Sequence, residues 1–286
     1  MIKTTHLAAL VAASLTLHGG SAAATSAAPS AAKTFSTPST PLATSSPELS
    51  SPEEEKENFE VVNFKTRDDQ AISARLYIPR KNGRAPAVLL VHAAGSSAEP
   101  LDELAANLQR KGFAVLIPNL RGHGPSVSEN YNWAKDTDAD VRTKSWSLAV
   151  RDLEASTDFM RGHDSIHNSN LSIVGVGAGA LLATRYAVQD ENTRAIALIA
   201  PDPENYGFNI LSDLKELGGL PVLIMSESSG RGDNVRIANA SAKSNDGIEF
   251  VEVKSLKPKK DGDLFSDKRL NSEITKFIEK QANPKR

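Results

Sequence analysis

Residues 171–189 read LSIVGVGAGALLATRYAVQ, and the shape of the whole chain turns on them. Leu171 to Val174 is a short apolar run of the kind a buried strand needs. Gly175-Val176-Gly177-Ala178-Gly179 is a glycine-rich turn, and from Ala180 to Gln189 the Ala- and Leu-rich sequence favours a helix. A strand passing through a tight turn directly into a helix is half of a strand–helix–strand unit, which belongs in a parallel sheet.

The same alternation continues in both directions. Upstream, residues 87–92 (AVLLVH) and 113–118 (FAVLIP) are continuous apolar runs, as expected of strands buried on both faces. Between them Leu101, Leu104, Ala105 and Leu108 recur at helical spacing, and Gly112 stops the helix. Residues 60–66 and 71–78 predict a hairpin around Arg67-Asp68-Asp69-Gln70. A loop over 119–128 leads to a long helical stretch ending near Gly162. Downstream, residues 195–200, 222–226 and 249–253 predict strands, and a helix over 266–280 closes the chain. The expected fold class is α/β, with a mostly parallel central sheet and helices on both faces. No internal repeat is visible.

The N-terminal part has a different character. Lys3 is followed by an uncharged apolar run over 7–17 (LAALVAASLTL) and the small residues Ser21-Ala22-Ala23-Ala24. That order predicts a secretory signal over 1–24, with an uncleaved anchor as the alternative. The run is short for a bilayer span. Residues 25–58 are Ser-, Thr-, Ala- and Pro-rich and end in an acidic patch at 53–57. They bury too little apolar surface to offset ordering entropy, which predicts a disordered tether. The folded domain is expected over 59–282, and the protein is expected to be secreted or periplasmic.

Composition excludes several classes of function. With 33 Lys plus Arg against 35 Asp plus Glu, the formal charge of −2 gives no support for nucleic-acid binding. The absence of Cys excludes disulfide scaffolds, thiolate catalysis and Cys-ligated zinc.

Three loops occur in an informative order: His92-Ala93-Ala94-Gly95 after the third strand, Arg121-Gly122-His123-Gly124 after the fourth, and the glycine turn at 175–179. In this order the chain resembles the α/β-hydrolase superfamily, in particular dienelactone hydrolases and serine aminopeptidases. The resemblance implies an oxyanion pocket from backbone N–H groups near Ala93 and at Ala178. It also implies a nucleophile at the centre of a G-x-S-x-G turn. That centre is Gly177, which has no side chain. The implied acid position, after the strand at 222–226, falls on Ser228 or Ser229. The implied base position falls on Lys260 or Asp261, and no His follows His167. The vacated triad positions are therefore Gly177, Ser229 and Lys260, and the expectation is a hydrolase fold without the standard triad.

Other residues offer themselves for chemistry. Glu227, Asp233, Asp261 and Asp263 are carboxylates that could act in a different register. His92 and His123 face the same end of the sheet, and a structural role is expected. His163 and His167 have a metal-chelating spacing, but they lie in a polar stretch that reads as a loop. Asp136, Asp138 and Asp140 resemble the start of a calcium loop, yet Val141 replaces the turn glycine and Ser147 the closing Glu. Trp133 and Trp146 either pack in the core or line a pocket rim. Finally, Gly175 to Ala180 satisfies G-x-G-x-x-A, so dinucleotide binding is a second reading, with Asp190, Glu191 or Asp202 as the acidic partner. The favoured reading is a binding or structural module, with no cofactor or metal, that holds a small molecule or protein in a vestigial cleft. An active ester or amide hydrolase with displaced groups is the alternative.

Overall fold

A computed structural model describes residues 58–81, 83–227, 237, 248–253 and 268–282. The predicted signal and nearly all of the predicted tether lie outside the described residues. So do Ser228, Ser229, Asp233, Lys260, Asp261 and Asp263.

Eight strands form one sheet in the order β1-β2-β4-β3-β5-β6-β9-β10. The expected hairpin is β1 (Glu60–Lys65) and β2 (Ala71–Tyr77), with Phe64 opposite Ile72. β2 runs antiparallel to β4 (Ala114–Pro118), and every later pairing in this sheet is parallel. β3 (Ala85–Val91), β5 (Ile166–Val176) and β6 (Thr193–Ile199) fill the centre, flanked by β9 (Val222–Glu227) and β10 (Ile248–Val253). This is the mixed, mostly parallel α/β architecture expected from the alternating apolar runs.

Helices cover both faces because the central strands are apolar on both. On one face, α1 (Asp102–Arg110) turns Leu104, Ala105 and Leu108 inward, against Val88, Leu90, Val115 and Ile117. The C-terminal helix, α6 (Lys268–Ala282), adds Leu270, Ile274, Phe277 and Ile278 to that cluster. On the other face lie α2 (Ala139–Leu148), α3 (Val150–Gly162), α4 (Ala178–Gln189) and the short α5 (Ile210–Glu216). Their buried residues Trp146, Leu153, Leu181, Leu182 and Leu214 pack with Leu89, Ile173 and Leu198. Fully burying each such large side chain is worth about 1.5–3 kcal/mol.

Three local features differ from the sequence expectation. The long helical stretch is two helices, broken at Ala149, whose N–H bonds three residues back to the Trp146 carbonyl at 3.0 Å rather than four back. β5 begins at Ile166, not Leu171, because the buried Ile166 pairs with Ala85 and the polar residues 167–170 continue the strand across a register shift between Ala85 and Ala87. A small hairpin, β7 (Glu204–Asn205) and β8 (Phe208–Asn209), follows β6. Among the described residues no helix is long and apolar enough to cross a membrane.

The strand order fixes where a site belongs. From β3 the chain goes outward to β4, then returns to the other side of β3 as β5. The loops leaving β3 and β5 therefore diverge at their C-terminal ends and open a crevice at this switch point.

Candidate active site

Gly177 stands at the centre of that crevice. It joins β5 to α4 at φ 54° and ψ −121°, backbone that an L side chain rarely adopts. The turn is held firmly: Gly177 N–H donates to the Ile199 carbonyl at 2.9 Å, and Ala180 N–H donates to the Gly177 carbonyl at 3.0 Å.

The three glycines of the turn do different work. A Cβ on Gly179 would lie 2.3 Å from the His92 carbonyl oxygen, and one on Gly175 would lie 2.6 Å from the Ala180 Cα. These two let α4 press its first turn directly onto the ends of β3 and β5. A Cβ on Gly177 would meet only the Ala93 Cβ, at 3.5 Å, an ordinary contact. The site has room for a serine; what it lacks is the side chain.

Ala93 faces this point from the loop after β3. Ala178 is the first residue of α4, so its N–H has no partner within the helix. Ala93 and Ala178 thus bracket Gly177, with the positive end of α4 beside them.

His92 and His123 staple the loops around the crevice. His92 Nε2 accepts the Leu120 N–H at 3.0 Å, and its Nδ1 donates to the Ala93 carbonyl at 2.8 Å. His123 Nε2 accepts the Gly95 N–H at 3.0 Å, and its Nδ1 donates to the Arg121 carbonyl at 3.0 Å. Accepting a backbone N–H requires an unprotonated Nε2, so both rings are assigned as the neutral Nδ1–H tautomer. Burial, helped by the neighbouring His123, pushes His92 down to about 3, and burial lowers His123 too. Rings with both nitrogens bonded to backbone are structural, in line with the sequence expectation.

An aromatic wall stands beside them. Trp146 is buried and donates its Nε1–H to the Ala178 carbonyl at 3.4 Å. Trp133 is half-buried and stacks on His123 with ring centroids 4.9 Å apart, while the Arg142 guanidinium lies over the Trp133 ring, 5.0 Å from its centroid. Tyr206 completes the wall, 5.6 Å from Trp133 and 5.7 Å from Trp146. Trp146 is therefore core and Trp133 half rim. Tyr206 was not foreseen; its signal is the Asn205-Tyr206-Gly207 turn, where φ is 48° at Tyr206 and 80° at Gly207.

A second unforeseen group supports the loop after β4. The Arg121 side chain is buried, donating from Nε and Nη2 to Asp152 at 2.9 and 2.7 Å and from Nη1 to Asp68 at 2.8 Å. Asp152 also accepts the Arg121 N–H at 2.8 Å, and Arg151 reaches Asp68 at 3.1 Å. The Arg121 hydrogen bond holds the Asp68 carboxyl well below the usual range. Burial raises Asp152, to about 6, against the pull of Arg121. The network ties β4, α3 and the β1–β2 turn together behind the crevice.

The remaining candidates have ordinary roles. His163 ends α3 and His167 lies in β5, so their spacing is not that of one helix face, and His163 Nδ1 accepts the Ser165 N–H at 3.2 Å. Among the described residues no group of three or more His, Asp or Glu is placed to hold a metal ion. Asp138 caps α2 by accepting the N–H groups of Asp140 and Val141 at 2.9 and 3.0 Å. Asp190 accepts from Thr193 and pairs with Arg161, and Asp202 accepts from Asn205. Two acids considered for a ribose are thus engaged locally, and helix–strand contact accounts for Gly175 and Gly179. Glu227 ends β9.

Comparison with known proteins agrees with this geometry. Residues 83–206 match the family model described as serine aminopeptidase, S33. Among solved structures, the esterase Pf2001 of Pyrococcus furiosus is 17% identical with a TM-score of 0.60, covering 78% of this chain and 93% of its own. Dienelactone hydrolase from Anabaena variabilis ATCC 29413 is 18% identical with a TM-score of 0.59, covering 78% of this chain and 95% of its own. DcsB, solved in complex with its substrate analogue, is 16% identical with a TM-score of 0.61, over 78% and 99%. No curated protein matches the chain. Architecture and structural neighbours show that the chain has the α/β-hydrolase fold, and residues 83–206 are similar to the serine aminopeptidase family.

Proposed function

We propose that this protein is a catalytically degenerate α/β-hydrolase, acting as a binding module through the crevice at the β3–β5 switch point. The observation that carries the reading is Gly177. Its turn has the geometry and space for a nucleophile and no atom to attack with. Acyl transfer needs a nucleophile, a base to take its proton and a group to orient the base. Backbone N–H groups at Ala93 and Ala178 can bind negative charge but cannot open a carbonyl. The two histidines nearest the crevice have both ring nitrogens committed to backbone, which removes them as replacement bases. The names of the similar esterases keep an active hydrolase with displaced groups as the competing reading.

Fluorophosphonate labelling of the purified full chain, with an ester panel, separates the two. The expected outcome is no covalent adduct and turnover at background. Gly177→Ser alone leaves turnover at background, because an isolated hydroxyl has no base. The triple variant Gly177→Ser, Ser229→Asp, Lys260→His is the one expected to gain weak turnover. Labelling of the unaltered chain at any serine would refute degeneracy.

The N-terminal pattern supports a further part of the reading, that the chain is exported and cleaved near Ala23 or Ala24. Mass spectrometry of the exported protein should find that new N-terminus; an intact Met1 would contradict it.

A further inference from the structure

At the opposite end of the sheet, where β2 ends and β4 begins, lies a cavity of about 580 Å³. Arg80 and Lys81 line one side, Arg110 and Lys111 the other, with Asn58, Pro79, Gln109 and Gly112 completing it. Among the described residues no carboxylate lines it. An adjoining cavity of about 420 Å³ shares Arg110 and Lys111 and brings in Lys268 and Lys276, balanced there by Glu103 and Glu279.

Cations at this place have one ordinary explanation. α1 ends here, and a positive side chain complements the partial negative charge of its last carbonyls. Lys81 meets that need: its Nζ would be 3.1 Å from a Cβ on Gly112, just past the helix end. Lys111 is accounted for by Glu279, at 3.3 Å. Arg110 closes the last turn of α1 and shares that role, whereas Arg80 has no such account. Arg110 donates to the neutral Asn107, and among the described residues neither arginine pairs with a carboxylate. A helix end carries about half an elementary charge, less than Lys81 and Arg110 together supply, and Arg80 adds to the excess. In a chain of net charge −2 such a concentration needs a reason.

The groove is also shaped. Gln109 Nε2 donates to the carbonyls of Asn58 and Ile78, both at 3.0 Å, tying α1 to the segments on either side of the β1–β2 hairpin. A cavity of this volume suits a small molecule rather than a polymer. Two guanidinium forks beside the Lys81 ammonium suit phosphate oxygens, which arginine binds in bidentate fashion. We propose that this groove binds a small oligophosphate, a compact anion carrying several phosphate groups. The site lies at the N-terminal edge of the parallel strands and is independent of the switch-point crevice.

Isothermal titration of the full chain with inorganic tripolyphosphate, at low and physiological salt, tests the proposal. Binding should persist at physiological salt and exceed that of orthophosphate. The double variant Arg80→Ala, Lys81→Ala and the single variant Arg110→Ala should each weaken it by about tenfold or more. Removing the same two charges elsewhere, with Lys135→Ala and Lys144→Ala, should leave it within about twofold. Thermal melts of each variant report that the exposed substitutions leave the fold intact. Absence of binding by the unaltered chain, or equal weakening by the Lys135 and Lys144 variant, would overturn the proposal.

Discussion

Substituting the glycines of the elbow one at a time separates backbone strain from packing. Gly179 lies inside α4, so helix propensity alone predicts that Gly179→Ala gains about 1 kcal/mol. The structure predicts the reverse. The new Cβ would sit 2.3 Å from the His92 carbonyl and 2.8 Å from that of Val91, where ordinary contact is 3.4 Å or more. Both neighbours are backbone atoms of the central sheet, so α4 must retreat by about 1 Å from a close-packed core. Overpacking of this kind costs about 3 kcal/mol, leaving a net loss of about 2 kcal/mol. Gly177→Ser meets no such obstacle, since its Cβ touches only Ala93. Its cost is the backbone at φ 54°, about 1–3 kcal/mol, less about 0.4–1 kcal/mol from a less flexible unfolded chain. The expected net loss is about 1 kcal/mol. Urea unfolding with unchanged slope would show Gly179→Ala as the more damaging change, and melting midpoints should fall by about 2–4 °C per kcal/mol. A neutral or stabilising Gly179→Ala would refute the close-approach argument.

The histidine staples predict a pH response. The folded protein holds His92 near 3 and lowers His123, whereas an unfolded imidazole takes a proton at about 6.5. Their contribution to stability is present above about pH 6.5 and is lost as pH falls, at about 1.4 kcal/mol per unit for each histidine that stays neutral. Asp152 acts the other way below its folded value of about 6 and offsets about one histidine's share, so stability should fall from pH 7 and continue to fall below pH 6 at a reduced slope. The fall steepens below about pH 4, where the stabilisation from the lowered Asp68 is withdrawn. Urea midpoints across this range check the sequence of slopes, and stability that rises from pH 7 to 6 would contradict it. A histidine NMR titration should find His92 still neutral at pH 4.5.

The alternation of apolar runs with helical periods was enough to determine the α/β class, because strands buried on both faces must be apolar throughout. Sequence also determined that Gly177 occupies the centre of a strand-to-helix turn and carries no nucleophile, since that depends only on chain order and residue type. The roles of the neighbouring glycines were not legible. Whether a glycine serves a positive φ or a close approach depends on what stands 2–4 Å away, and for Gly179 that is a carbonyl some ninety residues earlier. The same holds for Arg121, whose partners Asp68 and Asp152 come from a turn and a helix far apart in the chain. Tyr206 joins Trp133 and Trp146 only because a small hairpin bends back over the crevice. The cationic groove is the plainest case. Arg80-Lys81 and Arg110-Lys111 are unremarkable pairs in sequence, and they face one another because β2 runs antiparallel to β4, bringing the end of one beside the start of the other.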